Sequence, residues 1–93
     1  MTDYLVRVEL HGANYSHYEL LHKAMAAKGF SRSIRGNDGK NYALPTAEHV
    51  ISSTGDGAAV RAAADSAAAA TGLAHGVLVV NYSEAWWQGL NSG

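Results

Sequence analysis

The chain has 93 residues, 47% of them apolar, no cysteine and a formal net charge of −1. That is one domain with a modest core, and it excludes disulfide scaffolds, thiolate metal sites and cysteine nucleophiles together. The near-neutral charge argues against a strongly basic nucleic-acid binder, although six cations meet four carboxylates in residues 1–46 and one meets four in residues 47–93.

The first element is a strand from Tyr4 to Leu10. Tyr4, Val6, Val8 and Leu10 alternate with Arg7, Glu9 and His11, so one side suits a core and the other an open surface. Ser16-His17-Tyr18-Glu19 has the spacing of a capping box and predicts a helix start. Tyr18, Leu21, Met25 and Lys28 then repeat at helical spacing, and Gly29 ends the run. Residues 30–35, "FSRSIR", predict a short strand, and Asp38-Gly39 a hairpin turn. The return strand is expected to be strongest from Ala47 to Ser52, with Pro45 at its start or in a bulge. Thr54 to Asp56 cap a second, alanine-rich helix that stops at Gly72; residues 76–82 form a last apolar strand, and a tail follows from about residue 83.

This order, β-α-β-β-α-β, predicts an α+β ferredoxin-like domain over residues 1–93. It would have a four-stranded antiparallel sheet ordered 4-1-3-2 and two helices on one face. The first strand is then central, with Arg7, Glu9 and His11 on the open side. If His49 on the neighbouring strand faces the same way, histidine, glutamate and arginine supply a proton carrier and a phosphate clamp, the parts of metal-independent phosphodiester cleavage. The alternative is a cross-strand ion pair on a wet surface.

The five histidines show no metal-ligand spacing, so neither a metal nor a cofactor is expected. Arg32, Arg35 and Lys40 surround the second strand and hairpin, where they can contact RNA phosphates or simply block sheet extension. Of Trp86 and Trp87, one is expected to seal the core while the other stays available for a partner or a stacked base. No apolar run suits a signal peptide or a membrane span, so a cytoplasmic protein is the expectation.

The stretches "YLVRVEL", "YSHYELLHKAMAAKGFSRSI", "YALP" and "EHVIS" resemble the GhoS family of small antitoxin endoribonucleases over most of the chain. The family is ferredoxin-like and related in fold to the small nuclease-like subunit of CRISPR adaptation. The resemblance implies RNA binding and selective cleavage of a toxin's messenger RNA. On that reading His22 and His49 move protons or touch phosphate, Glu9 orients or acts as general base, and Arg7, Arg32, Arg35 and Lys40 bind RNA. The family's first-helix arginine has no counterpart in Leu20-Leu21-His22-Lys23, and His49 stands near a family aromatic position. The competing expectation is a non-enzymatic interaction protein, such as a phage or mobile-element inhibitor or a protein-binding antitoxin. It would use the open sheet face and Trp86–Trp87, either toward a partner or in a homodimer.

Overall fold

A computed structural model describes residues 1–93. Its elements are β1 (Thr2–Leu10), α1 (Tyr15–Ala27), β2 (Ser33–Arg35), β3 (Asn41–Ala43), β4 (Glu48–Ser53), α2 (Gly57–Ala69) and β5 (His75–Asn81). β1 is central and antiparallel to both neighbours, giving the order β4-β1-β5; β2 and β3 form a separate two-stranded sheet. The protein is thus a small α+β domain with an antiparallel three-stranded sheet and an appended hairpin. No helix is long and apolar enough to cross a membrane.

Alternation along β1 sets the core. Tyr4, Val6, Val8 and Leu10 are buried together with Leu21 and Met25 of α1, Phe30, and Val60, Ala64, Ala67 and Ala68 of α2. Both helices therefore lie on one face of the sheet. The alanines let α2 approach β1 and β5 closely, because a helix of methyl side chains has little bulk to hold it away.

Local chemistry ends the helices as expected, with one change. Asn14, not Ser16, caps α1: its side chain accepts from the His17 N–H at 3.3 Å, and His17 Nδ1 accepts from the Asn14 N–H at 3.1 Å. A histidine thus takes the part that glutamate usually plays in a capping box. At the other end Gly29 has φ 91°, and the N–H groups of Gly29 and Phe30 donate to Ala26 and Met25. These bonds form a Schellman motif closed by the buried Phe30–Met25 pair. Asp56 caps α2 by accepting from the Ala59 N–H at 2.8 Å.

The expected second strand is where the four-stranded sheet fails. Ser31 bridges Val50 of β4, but the chain then leaves the sheet and β2 pairs only with β3. The cause is local: the Ser31 hydroxyl accepts from the Ser33 N–H at 3.0 Å and donates to the Ser33 carbonyl at 3.1 Å. A side chain has taken the groups that a sheet ladder needs. The hairpin turns at Asp38-Gly39 with Gly39 at φ 80°, and the tail lies along its far side. There Ala43 N–H donates to Asn91 and Gly93 N–H to Asn41, and Tyr42 bridges Ser92. The return segment is split likewise, with Leu44–Ala47 looping between β3 and β4.

Candidate functional site

The register of β1 against β4 decides what the first strand can do. Val6 lies opposite His49, and Arg7 opposite Glu48. His49 therefore points to the helix side, fully buried, while Glu48 joins the open face. The juxtaposition of His49 with the Arg7–Glu9–His11 row does not occur. Instead Arg7 Nη1 stands 3.3 Å from Glu48 Oε2 and Arg7 Nη2 stands 3.5 Å from Glu9 Oε2. Arg7 is held in a three-membered ion network on the sheet surface.

His49 gathers a different cluster. The His22 ring from α1 meets it edge-on, with centroids 5.6 Å apart at 67°, and Tyr18 lies one turn before His22 at 6.3 Å. His22 Nε2–H donates to the Thr46 carbonyl at 2.7 Å. Arg32 donates to the carbonyls of Pro45 at 2.6 Å and Leu44 at 2.7 Å, and also to that of Glu48. The carbonyls of Leu44, Pro45, Thr46 and Glu48 are thus held by one imidazole and one guanidinium, while that of Ala47 accepts from the Val8 N–H of β1. Burial lowers the affinity of Arg32 for its proton, opposed by the nearby Glu48 carboxylate.

Neither ring nitrogen of His49 has a hydrogen-bond partner. Burial first, and then the positive charge of Arg32 and the neighbouring His22, lower its pKa to about 3. It is a neutral imidazole at physiological pH, shut away from solvent. Glu9 is exposed on the opposite side of the sheet. His22 and His49 come together, but Glu9 is separated from both by the β-sheet, so the three do not form one acid–base site.

Among the expected RNA contacts, Arg7 and Arg32 are engaged within the protein, whereas Arg35 and Lys40 are exposed on the hairpin. Trp87 packs on Tyr42 with centroids 5.6 Å apart, and Trp86 is 83% exposed. One tryptophan is packed and the other exposed, but Trp87 packs on the β2–β3 hairpin and does not seal the core, which neither tryptophan joins. A cleft of about 590 Å³ opens beside them, lined by Arg35, Asn37, Tyr82, Glu84, Trp86 and Trp87, among others. No three His, Asp or Glu side chains are placed together to hold a metal.

The open face, expected as a docking surface, carries an apolar strip that sequence reasoning did not place. Leu5 is flanked by Val50 and Val80, and Arg7 by Glu48 and Leu78. Leu78 and Val80 are 59% and 40% exposed. Beside this apolar strip stand three carboxylates, Asp3, Glu9 and Glu48, against the single guanidinium of Arg7. The signal was the apolar character of both sides of residues 76–82, since an edge strand with one buried face has no need of a second apolar one.

Compared with protein-family models, curated proteins and solved structures, the chain matches none.

Proposed function

We propose that this is a non-enzymatic interaction protein that docks a partner protein on the open face of the β4-β1-β5 sheet. One observation carries the reading: Leu78 and Val80 are left exposed beside Leu5 and Val50 on a face with an acid rim. An apolar centre surrounded by charge is the anatomy of a protein interface. The excess of carboxylate selects a partner whose own apolar patch is bordered by lysine or arginine, and it repels polyphosphate. The paired Arg7 adds little to RNA affinity because its charge is already matched.

The test compares tagged wild type with two double variants in quantitative cross-linking capture. Val50→Lys/Val80→Lys alters the face, and Arg35→Ala/Lys40→Ala alters the hairpin. A stoichiometric protein partner lost from the first and kept by the second supports the reading. RNA cleavage by the purified protein, abolished by His22→Ala, would overturn it in favour of the GhoS-like endoribonuclease.

A second reading, RNA binding without cleavage, is favoured by Arg35 and Trp86, which both line the cleft of about 590 Å³. An exposed indole beside a guanidinium suits a stacked base and its phosphate. Quenching of Trp86 fluorescence by a single-stranded oligoribonucleotide, lost in Arg35→Ala, supports it; unchanged fluorescence removes it.

A further inference from the structure

We infer that β5 is a self-pairing edge through which two copies of this chain join into one continuous six-stranded sheet. The two edges of the central sheet differ. On the β4 side, Ser31 and Val50 exchange N–H···O bonds of 2.8 and 2.9 Å, so that edge is partly closed. On the β5 side no strand follows, and the tail leaves at Tyr82 for the far side of β3.

The free edge has the chemistry of a strand acceptor. "HGVLVVN" contains no Asp, Glu, Lys, Arg or Pro, the residues that ordinarily block edge pairing. Its hydrogen-bonding phase follows from the bonds at its two ends. His11 N–H donates to Ala74, and Tyr82 N–H to Asp3, so even-numbered positions of this segment bond to β1. The odd-numbered positions His75, Val77, Val79 and Asn81 therefore turn their N–H and C=O groups to the free edge.

These positions are arranged symmetrically about Leu78. Antiparallel pairing about a two-fold axis through Leu78 sets Val77 against Val79 of the partner subunit, and His75 against Asn81 of the partner subunit. All four outward residues on each strand are then satisfied, giving about eight hydrogen bonds across the interface. Leu78, the most exposed aliphatic side chain of the sheet, falls on the axis against its own copy. It occupies a non-hydrogen-bonded pair, where facing side chains come closest. The helices of both copies stay on one side, and the two acid-rimmed faces merge on the other. The strand carries no charged side chain to repel its own copy, and in this register every outward group is paired and the exposed Leu78 is covered, so a second copy is the occupant. The inference deepens the open-face reading, because it supplies a composite surface for the same partner.

The absence of cysteine makes the test direct. Light scattering of the wild type should return twice the 9.8 kDa chain mass. Leu78→Lys and Leu78→Glu, at an exposed position, should each keep the wild-type circular dichroism and weaken self-association by at least about tenfold. Mixing the two should restore the dimer, because opposite charges then meet on the axis. Under oxidation Leu78→Cys should form a disulfide-linked dimer and Val80→Cys should not, since Val80 faces Gly76 of the partner subunit. A monomeric wild type, or a mixture that fails to recover, overturns the edge pairing. Equal cross-linking at both positions overturns it too, in favour of face-to-face association. Partner capture that still depends on Val50 and Val80 in a monomeric protein would leave the open-face reading standing while this inference falls.

Discussion

Protonation of His49 should unfold this protein from within, and the size of the effect follows from its surroundings. The ring is buried between β4 and α1, with Arg32 and His22 nearby and no partner for either nitrogen. Its folded pKa is about 3, against 6.5 for an unperturbed imidazole. Between those values the unfolded chain binds a proton that the folded chain refuses. Stability is therefore whole above the unfolded value and falls as pH drops below it, by about 1.4 kcal/mol per pH unit. At about pH 5 the loss is about 2 kcal/mol, a large share of the margin of a domain this small. His49→Leu removes the titrating group and two unpaired polar atoms at similar volume, so at neutral pH it should be near neutral or stabilising. Urea denaturation of both proteins at about pH 7.5, 6 and 5 measures the difference. The wild type should lose about 2 kcal/mol more than His49→Leu over that range. Parallel curves, or an NMR titration placing the folded His49 near 6.5, would refute the reasoning. The comparison cancels other histidines, which matters because His75 works in the opposite sense.

His75 Nδ1 donates to the Leu73 carbonyl and Nε2 to Asp65, and acceptors on both nitrogens raise its pKa. Its contribution is complete below the unfolded value and disappears as pH rises through the folded one, so Asp65→Asn should lower the His75 pKa measured by NMR. Arg32→Ala leaves the carbonyls of Leu44, Pro45 and Glu48 without their donor and should cost about 2 to 3 kcal/mol in urea denaturation. Arg32→Lys should recover little of that, because a point charge cannot span the three acceptors. At Gly36 an added Cβ meets Asp38 Oδ1 at 2.8 Å, Tyr42 Cε2 at 3.1 Å and Trp87 Cζ2 at 3.3 Å. Gly36→Ala should therefore loosen the hairpin from the tail, seen as greater quenching of Trp87 by acrylamide and a loss of about 1 to 3 kcal/mol. Leu21→Ala, at a fully buried site, should cost about 2 to 5 kcal/mol in the same assay.

The order of elements was legible, apart from the split of the return strand into β3 and β4, because neighbours in sequence write it. Alternation over Tyr4–Leu10 set the buried face of β1, and Gly29, Asp38-Gly39 and Asp56 marked helix and hairpin ends through bonds within a few residues. The separate β2–β3 sheet was not legible, because the Ser31 hydroxyl competes with a ladder to β4 and no local pattern says which wins. The side taken by His49 was half legible. Ala47, His49 and Ile51 share a phase opposed to Glu48 and Ser52, but Val50 contradicts it, and only pairing with β1 resolved the conflict.

What the chain determined by itself, then, is its two helices, the strands β1 and β5, the hairpin turn and the inward face of β1, since these depend on propensity, capping and a period of two. Tertiary structure alone decided which ionisable groups meet. It placed Arg7 with Glu48, turned His49 away from Glu9, and engaged Arg32 with backbone carbonyls distant in sequence. The reason is one of length scale: a strand's register shifts every side chain from one face to the other with a single-residue step, and that step is fixed by contacts more than forty residues apart, such as Arg7 with Glu48 (|i−j| = 41).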